Sequence, residues 1–359
     1  MKRLGQNLLL LSGSVVFCVL AIELILRIFA PYYFSQSIEY YTDAYVGIRP
    51  VPGRTYRLSD GGTCTVNAAG FRGADRVEIE KRPGVVRVVT MGGSSTFCYH
   101  TPDAEVWPKE LENRLRAHYG PDVEVINAGV PGYSSFEARI NYAYQLRRLD
   151  PDIVLVYHTW NDLKYYRLIE SKGVAYRGAW HPPSLLRRIA RRTQLGYRIR
   201  SFAHTYVIPA RRENSMSAPH VQITDDGPAH RWERVNYDDL ALLLKADGVL
   251  PVFTSQASLL VDSTLSNPDA RSHSYVEYLG LTFEGAVAQW DKTTQIIEAS
   301  AAAHDIPFID VRAAIPSNLD NFLDHVHLTP QGNALVAETI VRGFAAHAAI
   351  DSVMRRSQP

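Results

Sequence analysis

The chain has 359 residues, 46% hydrophobic and 21% charged, which excludes a disordered, collagen-like or disulfide-dense scaffold. Its 38 basic and 37 acidic side chains leave a net charge of +1, an argument against nucleic acid as a partner, because phosphate binding needs a basic surplus on one face. Cys18, Cys64 and Cys98 are too few for a stapled fold and too scattered for a zinc site.

The first element is apolar. After Lys2 and Arg3, the run Leu8–Ile22 continues past Glu23 through Leu24, Ile25, Leu26, Ile28, Phe29 and Ala30. A bilayer-crossing helix needs roughly 20 such residues, which this stretch supplies if Glu23 and Arg27 are included. Those two stand at i,i+4 and can pair on one helix face, with Arg27 able to snorkel to the headgroups. The basic start favours an inside N-terminus, and Tyr32, Tyr33 and Phe34 read as an interfacial belt. The alternative is a cleaved signal peptide with Leu8–Ile22 as its apolar region; no small-x-small cleavage site follows it, which favours the uncleaved anchor. Either way the rest of the chain leaves the cytoplasm, where Cys64 and Cys98 are free to pair if the fold brings them together.

Residues 35–84 read as an irregular extracytoplasmic segment containing Asn67-Ala68-Ala69-Gly70-Phe71-Arg72-Gly73. From Val85 onward strands are expected at Val85–Met91, Val123–Ile126, Ile153–Tyr157, Val249–Thr254 and Ile306–Val311. Helical patterns cover Ala104–Tyr119, Ser135–Leu149, Tyr237–Ala246, Tyr275–His304 and Pro330–Ala348. Apolar strands alternating with helices imply a parallel sheet covered on both faces, with functional residues on the loops at the strands' carboxyl ends. An excursion at 163–236 carries Pro182-Pro183-Ser184 and a basic amphipathic pattern: Leu185, Leu186, Ile189 and Leu195 beside Arg187, Arg188, Arg191 and Arg192. Such a helix is either a lid with a solvated basic face or a membrane-surface element.

Four segments follow the expected strands. Gly92-Gly93-Ser94-Ser95 permits a tight strand-to-helix turn that exposes a hydroxyl and aims amides at a developing oxyanion, although it is also an ordinary loop sequence. Gly132, in Val130-Pro131-Gly132-Tyr133, either offers its N–H to a ligand or simply closes a Pro-Gly turn. Asn161, in His158-Thr159-Trp160-Asn161-Asp162, is an amide donor at a strand tip or a helix cap. In Asp324-His325-Val326-His327, Asp324 stands three residues ahead of His327, where it can orient and charge-stabilise the imidazole. Thr329-Pro330 is a helix start. A metal reading of this His-x-His finds no second cluster of ligands in the sequence.

In order and placement the four segments resemble the SGNH (GDSL-type) hydrolase superfamily, whose blocks supply Ser, Gly, Asn and His. The resemblance runs from about Val85 to the last helix and implies a flavodoxin-like three-layer α/β/α sandwich. It implies Ser94 as nucleophile, His327 as general base and Asp324 as its orienting carboxylate. The Ser94 and Gly132 N–H groups and the Asn161 side-chain amide would form the oxyanion hole. Ser95 is the rival nucleophile. On this reading residues 1–34 are a cytoplasmic stub and signal-anchor, and 85–350 an SGNH hydrolase-like domain with an insertion at 163–236. The Asn67–Gly73 element looks like that of a membrane-anchored or exported bacterial subgroup.

Two positions depart from the pattern. Gly93 stands where the family usually has Asp, and Trp160 where it usually has Gly, placing a large ring beside the oxyanion donor. The expected activity is that of a serine esterase needing no cofactor or metal, acting on a short-chain acyl ester of an envelope glycan, a lipid or a small molecule. The same groups would make an O-acyltransferase if a sugar hydroxyl replaced water. An inactive glycan-binding or scaffold protein is the reading from a different class, and Gly93 and Trp160 are what would support it.

Overall fold

A computed structural model describes residues 2–29, 38–58, 61–172, 193–202, 223–274, 276 and 279–357. The Tyr32–Phe34 belt and the basic pattern from Pro182 to Arg192 lie outside the described residues.

Helix α1 (Lys2–Phe29) comes first, and its stretch Leu9–Phe29 is long and apolar enough to cross a membrane. Two short hairpins follow, β1–β2 (Tyr40–Asp43, Gly47–Pro50) and β3–β4 (Arg54–Arg57, Thr63–Val66). These correct the expectation of an irregular segment: four-residue strands are too short to show an alternation in the sequence. Then come β5 (Val86–Gly92), α2 (Ser94–Phe97), α3 (Trp107–Tyr119), β6 (Val123–Asn127), α4 (Ser135–Tyr144), β7 (Ile153–Tyr157) and α5 (Trp160–Lys172). The chain continues through α6 (Gln194–Phe202), α7 (Pro228–Ala246), β8 (Leu250–Thr254), α8 (Pro268–Ser272), α9 (Phe283–Ala303), β9 (Phe308–Ile309) and α10 (Val311–Ala314). It ends with α11 (Pro330–Ala346) and α12 (Ala348–Met354).

Helix α7 starts at Pro228, well before the amphipathic pattern expected from Tyr237, and α9 starts only at Phe283, where the Thr282 side chain accepts from Gly285 N–H. The last strand shrinks to Phe308–Ile309, because Asp310 caps a short helix at Val311. The pattern Ser135–Leu149 breaks at Gln145 into α4 and a 3₁₀ turn.

The described residues divide into two units, one drawn from 1–35 and 181–218, the other from 36–180 and 219–359. In the first, Arg27 pairs with Glu23 at 2.8 Å as the spacing predicts, and Glu23 also accepts the Gln194 and Leu195 N–H groups at the start of α6.

In the second unit β5 to β9 form one parallel sheet in the order β6-β5-β7-β8-β9, with Val88 opposite Ile153 and Ile153 opposite Leu250. This is the flavodoxin-like order. Every position of β5 is buried, Arg87 and Thr90 included. Val86 and Val88, with Ile153 and Leu155, face a core closed by α3, α11 and α12. Val89 and Met91, with Val154 and Val156, face the core under α4, α7 and α9. The alternation along each strand thus makes the three layers, and it leaves the carboxyl ends of β5, β6 and β7 on one edge. Cys64 and Cys98 are both buried and both free thiols, so the pairing considered from the sequence is not made.

Candidate active site

Strand β5 ends at Gly92, and Gly93 turns the chain into α2, with the Thr96 and Phe97 N–H groups both returning to the Gly93 carbonyl. Ser94 opens the helix. A Cβ on Gly93 would lie 2.2 Å from the Asn161 Nδ2 atom, so with the Asn161 amide where it stands the turn has no room for a side chain at this position.

His327 Nε2 lies 2.8 Å from Ser94 Oγ, and His327 Nδ1 lies 2.7 Å from Asp324 Oδ2. The other carboxylate oxygen of Asp324 accepts the Val326 and His327 N–H groups at 2.9 and 2.8 Å, so one side chain folds the loop and aims the ring. Burial alone would raise the Asp324 carboxyl; the His327 hydrogen bond and charge, the nearby His325 and the Val326 N–H together hold it well below the usual carboxylate range. It is therefore ionised at any working pH. Thr329 caps α11 as predicted, its side chain accepting from Gly332 N–H.

Gly132 has φ +92°, a left-handed conformation that favours glycine, and among the described residues its N–H finds no protein acceptor, nor does that of Ser94. Asn161, second in α5 and buried, donates from Nδ2 to the Tyr133 carbonyl at 2.7 Å. The next residue, Asp162, accepts the Ser135 N–H and hydroxyl at 2.9 and 2.7 Å. Two consecutive side chains of α5 thus grip the Gly132–Ser135 loop on either side of Ser134.

Nothing in the sequence singled out Asp162, since its partner lies in another segment. Burial raises its carboxyl to about 7 against the pull of the Ser135 donors. A raised carboxyl favours the protonated fold, so this stabilisation is full below about pH 4 and is lost as pH rises through about 7. Asp162→Asn keeps the Oδ1 acceptor without the charge, and its melting temperature relative to wild type is expected to rise from pH 5 to 8. A constant difference would show that the group does not titrate in the fold.

Ser95 and Ser94 part company. The Ser95 hydroxyl is buried, donates to the Val326 carbonyl at 3.1 Å and accepts from Gln256 Nε2 at 2.9 Å. Gln256 also accepts the Trp160 N–H, a bracing role with no signal in the sequence. The Trp160 ring is buried with centroids 3.9 Å from His325 and 5.9 Å from Trp290, so it joins the start of α5 to the loop carrying His327. Burial holds His325 down to about 4, although Asp324 opposes that shift; it packs as a neutral ring. Trp160→Ala is expected to cost about 3–5 kcal/mol by emptying this contact, read as a lowered denaturant midpoint. Among the described residues no group of three or more His, Cys, Asp and Glu side chains is placed to hold a metal ion.

The fold and this row of side chains define a flavodoxin-like α/β protein with a Ser, a His and an Asp in hydrogen-bond series at the carboxyl edge of its sheet. The chain belongs to the GDSL-like lipase/acylhydrolase family, whose model matches residues 90–335, and it is an ester hydrolase. Solved structures of similar fold include a lipase/acylhydrolase from Enterococcus faecalis (16% identity, 73% of this chain and 96% of that one, TM-score 0.44). Others are a GDSL-like lipase from Bacteroides thetaiotaomicron (17%, 74% and 88%, 0.41) and a variant acetyl xylan esterase from Geobacillus stearothermophilus (13%, 72% and 96%, 0.43). No curated protein matches the chain.

Proposed function

We propose that the chain is a membrane-anchored serine esterase that removes short acyl groups, such as acetyl, from an envelope glycan outside the cytoplasm. The observation that carries the chemistry is the series Ser94 Oγ, His327, Asp324 at 2.8 and 2.7 Å. His327 Nε2 takes the Ser94 proton as Oγ attacks the ester carbonyl carbon. The oxyanion is received by the Ser94 and Gly132 N–H groups and by the Asn161 amide. The imidazolium, held by Asp324, then returns the proton to the leaving alkoxide. Water repeats the cycle on the acyl-enzyme and regenerates Ser94. The engaged hydroxyl of Ser95 supports Ser94 as the nucleophile.

Location supports the substrate class. Helix α1 would span the bilayer with Lys2 and Arg3 inside, with the rest of the chain outside the cytoplasm.

The test uses the full-length protein in detergent micelles, following p-nitrophenyl acetate hydrolysis and fluorophosphonate labelling in wild type and Ser94→Ala. Turnover and labelling in wild type alone are the expected result. Labelling without turnover moves the reading to acyl transfer onto a sugar hydroxyl, and no labelling of either protein moves it to a binding module.

A further inference from the structure

The Asn67–Gly73 element lies before the stretch matched to the family and needs an account of its own. Its local turn is built by Asn67, whose Oδ1 accepts the Ala69 and Phe71 N–H groups while Gly70 sits at φ +88°. The turn delivers Arg72 to the edge of the sheet, where its N–H donates to the Asn127 carbonyl at the end of β6. From there the side chain runs inward and is fully buried.

Its guanidinium fans over four acceptors, one of them the Thr65 carbonyl at 3.5 Å from Nη1. Nε donates to the Phe97 carbonyl at 3.1 Å, Nη2 to the Thr101 carbonyl at 2.7 Å, and Nη1 pairs with Asp103. Asp103 is held in turn by the Thr65 N–H and hydroxyl. Phe97 is the last residue of α2, the helix that Ser94 opens.

A four-residue helix cannot hold its own shape, because nucleation costs more than one or two hydrogen bonds return. The Ser94 carbonyl accepts the Cys98 N–H, and the other three carbonyls of α2 are taken one by one from outside. Trp107 Nε1 donates to Ser95 O at 3.0 Å, Asn127 Nδ2 to Thr96 O at 2.8 Å and Arg72 Nε to Phe97 O. Immediately after comes Cys98 at φ +56°, a left-handed conformation that a β-carbon makes costly and that surroundings must enforce. By holding Phe97 O on one side of Cys98 and Thr101 O on the other, Arg72 fixes this reversal. Lysine could not, since a single ammonium lacks the planar fork needed to reach the Phe97 and Thr101 carbonyls and Asp103 together.

We propose that Arg72 is a positioning residue for the nucleophile: supplied from outside the family domain, it pins the far end of the α2 turn and so sets Ser94 Oγ against His327 Nε2. This rests on Ser94 being the nucleophile. Arg72 touches no reacting atom and acts only through the backbone of α2.

The experiment compares full-length wild type, Arg72→Lys and Asp103→Asn in micelles. It reads kcat and KM for p-nitrophenyl acetate per serine titrated by fluorophosphonate, the labelling rate constant, and the melting temperature. A misplacement of about 1 Å costs about 10²-fold, so kcat per titrated site is expected to fall by roughly 10–10²-fold in Arg72→Lys. The labelling rate should fall in parallel, with KM within about twofold. Asp103→Asn, which keeps an acceptor but loosens the fork, is expected to fall less, and it carries the test if Arg72→Lys does not fold. Unchanged kcat per titrated site, with only a lower titratable fraction or melting temperature, would assign Arg72 to stability alone and overturn the proposal. Failure of wild type to label at Ser94 would overturn the nucleophile assignment itself, a result separable from any change between variants.

Discussion

Asp324→Asn is expected to lower kcat by about 10⁴-fold while leaving the fold intact. The reason lies in what each atom of the carboxylate does. Oδ1 accepts two backbone N–H groups, from Val326 and His327, and an asparagine oxygen can keep both. Oδ2 faces His327 Nδ1 at 2.7 Å, and an amide nitrogen placed there donates where the carboxylate accepted. The ring then carries its proton on Nε2, which points at Ser94 and can no longer take the serine proton. The loss belongs in kcat and in the fluorophosphonate labelling rate, with KM little changed. A variant that kept even a hundredth of wild-type turnover would argue against Asp324 as the orienting group. The substitution also removes a stability contribution whose sign follows from the depressed carboxyl. In wild type it is present above about pH 4 and lost as pH falls further. The melting temperatures of the two proteins should therefore converge in acid.

What could be read from the sequence divides along physical lines. The five central strands and the order of the four blocks were legible, because buried parallel strands are apolar at nearly every position and active-site residues follow them in the chain. Asp324 and His327 were legible for the same local reason, since three residues separate them. Partners distant in sequence were not. Asp162 meets Ser135, Gln256 joins Ser95 to Trp160, and Arg72 reaches Phe97 and Thr101. None of these pairs carries a spacing that marks it. The hairpins of residues 38–66 escaped because their strands have four residues each. Trp160 stands next to Asn161 in the sequence, yet only packing shows its ring turned toward His325 and Trp290.

Gly93→Ala is expected to inactivate the enzyme about as severely as loss of an oxyanion donor, roughly 10²–10³-fold in kcat. The added methyl would lie 2.2 Å from Asn161 Nδ2 and 3.3 Å from the Tyr133 carbonyl, the donor and acceptor of one 2.7 Å hydrogen bond. The backbone around Gly93 has little room to yield, since two N–H groups of α2 return to its carbonyl. The amide of Asn161 is the part able to move, and moving it takes the proposed donor away from the oxyanion. Restoring the family's usual residue, Gly93→Asp, brings the same β-carbon with a carboxylate attached and is expected to be worse. The outcome is counterintuitive for a change toward the common pattern. It is also separable from general damage, because Gly93→Ala and Asn161→Ala would act through one group. The double variant should then lose little beyond Asn161→Ala alone, whereas independent effects would multiply. Multiplied losses would mean that Gly93 serves the turn itself rather than the amide packed against it.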